Sequence, residues 1–126
     1  MLSSAGLIGF VATVDAARAK RFYQRTLGLR LVSEDSFALV FESGGNQLRI
    51  QIVKEFQPQP FTVVGWQVPD IRRTVAALAA GGAAFERFAG MEQDELGVWR
   101  SPGGARVAWF KDPDGNLLSV TEPAAG

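Results

Sequence analysis

Arg49 and Gln51 stand two positions apart in the run Gln47-Leu48-Arg49-Ile50-Gln51-Ile52, where polar and aliphatic residues alternate. On a strand, a period of two sends Leu48, Ile50 and Ile52 to one face and Gln47, Arg49 and Gln51 to the other. A guanidinium between amides can hold a carboxylate, a phosphate or a polarised carbonyl through charge-assisted hydrogen bonds. The same alternation turns Ile8, Phe10 and Ala12, then Val63, Gly65 and Gln67, then Leu117, Ser119 and Thr121 to the faces away from the helices. Trp99 and Trp109 flank the Gly103-Gly104 turn, where an indole can stack on a flat ligand or simply pack. The expected lining is apolar, with a few amides, two hydroxyls and one arginine, which suits a small organic ligand.

The residue types absent from the chain restrict its chemistry further. There is no histidine and no cysteine, so imidazole acid–base catalysis, thiolate attack, disulfides and cysteine-based metal sites are excluded. Thirteen basic and thirteen acidic residues cancel, and no Lys/Arg stripe gives a footprint for nucleic acid or an anionic membrane. Several candidates keep two readings. Arg49 either orients a ligand or pairs with a carboxylate such as Glu42 or Glu122. Gln51 and Gln67 are either contacts or solvated residues of an open sheet. The acidic segment Met91 to Gly97 is either a lid or a surface loop. Asp15, Asp70 and the turn Asp112 to Asn116 have full explanations as helix caps and turn formers.

The elements that must position these residues recur. Asp15 and Asp70 lie 55 positions apart, each preceded by an apolar run and followed by a helical segment that ends at glycine, Gly28 or Gly81-Gly82. In the first helix Ala16, Ala19, Phe22 and Tyr23 make the apolar stripe; in the second, Ile71, Val75, Leu78 and Ala79. Strands are expected at Leu29 to Ser33, Phe37 to Glu42 and Gln47 to Lys54 in the first half. In the second they are expected at Phe61 to Val68, Ala83 to Phe88, Val98 to Arg100, Ala105 to Phe110 and Leu117 to Thr121. Glu55 to Pro60, with two prolines, reads as a stiff connector. Each half is therefore βαβββ, the second with a longer loop. The apolar start lacks the basic residues of a signal peptide and no run is long enough to span a bilayer, so a cytoplasmic protein is expected.

The paired βαβββ halves, Phe22-Tyr23 placed seven residues past Asp15, and the run Trp109-Phe110-Lys111-Asp112-Pro113-Asp114-Gly115-Asn116 resemble the vicinal oxygen chelate superfamily. That superfamily includes glyoxalase I, extradiol dioxygenases, fosfomycin-resistance enzymes and bleomycin-resistance proteins. The resemblance covers the whole chain. It implies an α+β fold, one glyoxalase/bleomycin-resistance-like domain over residues 1–126 built of modules 5–55 and 61–123, whose curved mixed sheets form a cup.

Enzymes of the family hold a divalent metal through four side chains, and the resemblance carries those positions to Ile8, Val63, Ser119 and a place at or next to Arg49. Two alkyl groups, a guanidinium and a hydroxyl are poor ligands for such a metal. Glu122, three residues past Ser119, has an odd offset and points to the opposite face. The resemblance thus implies no metal and no cofactor, and a protein that holds an apolar or aromatic organic molecule in the manner of the bleomycin-resistance members. The ligand-binding set is Ile8, Phe10, Arg49, Gln51, Val63, Gln67, Trp99, Ser119 and Thr121, with no catalytic residue identified. The alternative is a lyase, isomerase or dioxygenase with a rebuilt metal site or none. Family members usually cover their open sheet edges by pairing, so a homodimer is expected.

Overall fold

The computed structural model describes residues 1–125. Chain contacts divide it into two compact units, Met1–Gln57 and Pro58–Gly126. The first contains β1 (Ile8–Thr13), α1 (Ala16–Arg21), a π-helical turn (Phe22–Thr26), β2 (Arg30–Glu34), β3 (Ala38–Ser43) and β4 (Asn46–Ile52). The second contains β5 (Val64–Gln67), α2 (Ile71–Ala80), β6 (Trp99–Arg100), β7 (Arg106–Lys111) and β8 (Leu117–Glu122). Each unit has one unclosed four-stranded mixed sheet, in the orders β1-β4-β3-β2 and β5-β8-β7-β6. The expected α+β architecture of two repeated modules is what the chain adopts.

The helix starts follow from their aspartates. Asp15 accepts from the N–H of Arg18 and Asp70 from that of Arg73, both at 3.1 Å, satisfying an otherwise orphaned first-turn donor. Thr13 fixes the entry to α1, its hydroxyl accepting from Asp15 N at 3.0 Å. α1 does not continue as a regular helix. From Phe22 it widens to a π turn, the Leu27 N–H reaching back to the Phe22 carbonyl at 3.0 Å. Tyr23 is fully buried beneath the sheet, its ring 5.9 Å from that of Phe41. The Gly28 turn that ends the segment uses a φ of 73°, accessible to glycine without strain.

The core of the first module lies between α1 and one face of its sheet, where Val11, Leu39, Phe41, Leu48 and Ile50 are buried with Ala19 and Tyr23. In the second, Ile71 and Val75 of α2 meet Ala108, Phe110, Leu118 and Val120, while Ala79 of the expected helical stripe stays exposed. The Asp112–Asn116 turn is locked by the Asp112 carboxylate, which accepts from Asp114 N, Asn116 N and Asn116 Nδ2.

Two expected strands differ. β5 covers four residues instead of starting at Phe61, although Val63 N still donates to Leu117 O at 2.9 Å. Ala83 to Phe88 is not a ladder strand; it makes one isolated bridge, Phe85 to Phe110. The Gln93 side chain takes the place of a neighbouring strand there, accepting from Phe88 N at 2.8 Å and donating to Glu86 O at 3.0 Å. One amide thus satisfies backbone groups that would otherwise need a ladder partner.

Candidate functional site

Each sheet has a face turned away from its helix, and strand register settles which residues share it. In the first module, Phe10 lies opposite Arg49, which lies opposite Val40; Ile8 lies opposite Gln47, opposite Glu42; and Ala12 lies opposite Gln51, opposite Ala38. Ile8, Phe10, Arg49 and Gln51 therefore lie together as expected. Ile8 and Phe10 are 47% and 53% exposed, large apolar side chains left in water beside a guanidinium.

Arg49 pairs with neither of the acids considered for it. Glu42 is taken by Arg30, whose Nε and Nη2 reach one carboxylate oxygen at 3.0 and 2.8 Å. Glu122 accepts from Arg106 at 3.2 Å and from Ile71 N at 2.9 Å. It therefore lies on the helix side of its sheet, where its odd offset from Ser119 sends it. Arg49 makes one long contact, Nη2 to Gln47 Oε1 at 3.4 Å, and its buried Nε has no hydrogen-bond partner. Its positive charge also reaches Asp35. That carboxyl is held below the usual range first by the N–H groups of Phe37 and Ala38, and further by the Arg49 charge.

In the second module, Gln67 lies opposite Thr121, opposite Val107, opposite Trp99; Gly65 lies opposite Ser119, opposite Trp109. Gln67, Trp99, Ser119 and Thr121 thus share one open face, and Val63 is tied to the same sheet through Leu117. Ser119 is buried, its hydroxyl standing over Gly65 so closely that a Cβ there would lie 2.7 Å from Oγ. The face is more aromatic than the candidate set implied. Trp109 packs 6.0 Å from Trp99 and edge-on to Phe88 at 5.4 Å, and its indole N–H donates to Thr62 Oγ1 at 3.1 Å. Alternation along β7 could have assigned Trp109 to this face.

The expectation of one arginine among the open-face residues needs correction. Arg30 shares the row of Glu42, and Lys111, opposite Leu117, brings a further cation. Each faces a carboxylate, Arg30 that of Glu42 and Lys111 that of Glu86 at 3.7 Å. Arg49 is the open-face cation without an acid within ion-pair distance among the described residues.

The four positions implied for a metal hold isoleucine, arginine, valine and serine. Among the described residues no three His, Cys, Asp or Glu side chains lie together in a way that could hold a metal ion. This donor set does not fit a divalent transition metal, which takes imidazole, carboxylate or thiolate ligands.

The acidic loop is bound to α2, on the helix side of the sheet. Arg72 donates to Asp94 at 2.6 Å and to Glu95 at 2.5 Å, and Asp94 also accepts from Leu96 N and Val98 N. Among the described residues no helix is long and apolar enough to cross a membrane.

Known structures with this architecture include the antibiotic-binding protein TnmS3 from a Streptomyces species, 24% identical, with 98% of this chain and 99% of that one aligned and a TM-score of 0.73. The genomically encoded fosfomycin resistance protein FosX from Listeria monocytogenes is 15% identical over 96% and 94% of the two chains, TM-score 0.75. Lactoylglutathione lyase from Agrobacterium tumefaciens is 18% identical over 94% and 93%, TM-score 0.73. At these identities the likeness is one of fold. No curated protein sequence matches. Residues 7–120 match the family model described as the glyoxalase/bleomycin resistance protein/dioxygenase superfamily, and the chain belongs to that superfamily.

Proposed function

We propose that this chain is a small-molecule-binding member of the superfamily that works without a metal, its ligand an organic molecule with an apolar or aromatic body. The observation that carries the reading is the replacement of the implied ligand positions by Ile8, Arg49, Val63 and Ser119 on sheet faces rich in apolar and aromatic side chains. Apolar area supplies affinity in such sites and a few polar groups fix orientation. Ile8, Phe10, Arg49 and Gln51 are the contacts on the first module's face; Val63, Gln67, Trp99, Ser119 and Thr121 are those on the second. Arg49, short of hydrogen-bond partners, is assigned to a carboxylate, phosphate or carbonyl of the ligand. That the neighbour TnmS3 is an antibiotic-binding protein supports the class of function. We further propose a cytoplasmic homodimer, for which the exposed Phe37 and Phe61, outside the ligand set, provide apolar surface to cover.

Thermal-shift measurements with nickel, zinc, iron and manganese, then with a panel of aromatic antibiotics, test the reading, since a ligand of the native state raises the melting temperature. Aromatic compounds should stabilise and metals should not. Near-stoichiometric metal that survives dialysis would refute it in favour of a metal-dependent lyase, isomerase or dioxygenase. Arg49→Ala should weaken an anionic ligand by roughly 10- to 100-fold, the loss of one charge-assisted hydrogen bond of about 1.5–3 kcal/mol, and leave the fold intact. A lowered melting temperature with unchanged affinity would make Arg49 structural. Light scattering should give twice 13.6 kDa.

A further inference from the structure

The helix side of the second module carries charges that the open-face reading does not use. Arg100 lies opposite Arg106, and Arg106 opposite Glu122, so three charged side chains form one row across the sheet. Two arginines directly opposite one another repel, and the row holds a single acid. Glu122 is committed to Arg106 and to the first N–H of α2. Arg72, at the start of α2, is committed to Asp94 and Glu95. The Arg100 side chain has no hydrogen bond or ion pair among the described residues. Neither has Glu92, carried into the same place by the loop that Arg72 pins.

These two leftover charges line one cavity of about 490 Å³, together with Arg72, Asp94, Arg106 and the buried Val98. Its volume is within the range of small-molecule sites. Arg100 and Glu92 lie beyond ion-pair distance of each other. The cavity thus offers a guanidinium for an anion, a carboxylate for a cation, and an apolar residue in its lining. A zwitterion can engage both charges at once, where a plain anion would engage Arg100 alone and a plain amine Glu92 alone. We infer that this cavity is a second binding site, distinct from the open sheet faces, for a small zwitterion bearing both a carboxylate and an ammonium group: a free amino acid or a short peptide. Arg100 takes the carboxylate and Glu92 the ammonium.

Glycine, glycylglycine and triglycine test this as a ruler, because the separation of the two charges grows along the series while their chemistry stays the same. Each is titrated into the isotope-labelled protein with the amide and guanidinium resonances followed by NMR. One member should move the signals of Val98 and Arg100, and should bind at least ten-fold more tightly than its N-acetyl or its C-amide derivative. Arg100→Gln and Glu92→Gln should each weaken that member about ten-fold without lowering the melting temperature, because both side chains are exposed and unpaired and Arg100→Gln also relieves the repulsion with Arg106. The proposal is overturned if no member shifts these resonances up to ~10 mM, the range of a weak small-molecule complex. It is equally overturned if the blocked derivatives bind as well as the parent, or if the shifts centre on Trp99 and Trp109. None of these outcomes depends on the open-face ligand, and Arg49→Ala should leave the titration unaltered.

Discussion

Gly65→Ala is a sharp test of the second module's open face, because its sign should depend on one neighbouring atom. A Cβ at Gly65 would meet Ser119 Oγ at 2.7 Å, while the next nearest atoms, Ser119 O and Ser119 Cβ, lie at 3.6 and 4.0 Å, ordinary contact distances. Gly65 has no left-handed backbone angle, so alanine suits its conformation. The substitution removes unfolded-state freedom, worth about 0.4–1 kcal/mol in favour of the fold. Against this stands overpacking against a buried hydroxyl, about 1–3 kcal/mol. The clash wins, and Gly65→Ala alone should destabilise by roughly 1–2 kcal/mol. In a Ser119→Ala background Oγ is gone, and the same change should be neutral or stabilise by up to about 1 kcal/mol. Urea unfolding of the four proteins closes a double-mutant cycle, whose coupling should be about 1–3 kcal/mol. Equal destabilisation in both backgrounds would refute the reasoning and mean that the cost of Gly65→Ala arises elsewhere than at Oγ.

Asp112→Ala removes the acceptor of three hydrogen bonds in a buried turn and should lower stability by about 3 kcal/mol, seen by calorimetry as a melting point down by roughly 10 °C; a loss under about 1 kcal/mol would show that other acceptors or water replace the carboxylate. Asp94 gives a pH dependence of definite sign. Burial pushes its carboxyl up, but the N–H groups of Val98 and Leu96 and the Arg72 charge outweigh this and hold it below its ordinary 3.8. Its contribution to stability is therefore complete above the unfolded value and is lost as pH falls through the depressed folded one. Acid titration should accordingly release the 91–97 loop below about pH 3.8, as amide exchange at Leu96 and Val98, and Asp94→Asn should flatten that part of the profile.

Much of this was legible because the informative patterns are local. Period-two alternation places Leu48 and Ile50 against Arg49 and Gln51, and Asp15 and Asp70 announce two helix starts before any tertiary contact is known. What escaped depends on side chains far apart in sequence. Gln93 supplies the backbone partners that make a strand at 83–88 unnecessary, and nothing in the sequence around Phe88 signals it. Arg30 outcompetes Arg49 for Glu42 because it lies directly opposite on the neighbouring strand, a matter of register. The loop at 91–97 is ruled by Arg72, some twenty residues earlier. The π turn at Phe22 coincides with the burial of Tyr23 against the sheet, and helical periodicity alone does not distinguish it from a continuing α-helix.

The parallel pairing of first and last strands has a consequence for how the chain is made. Ile8 must find Gln47 across roughly 40 residues, and Val64 must find Leu118 across roughly 55, yet logarithmic loop closure makes the longer search dearer by only about 0.3 kcal/mol. The longer connection of the second module is thus thermodynamically cheap, but kinetically it counts. During synthesis β5 emerges early and waits with an unanswered edge for a partner not yet translated, the state in which chains associate wrongly. β8 lies between β5 and β7, so a message or a protease that ends the chain before Leu117 removes the middle of a sheet and leaves two strands with nothing between them.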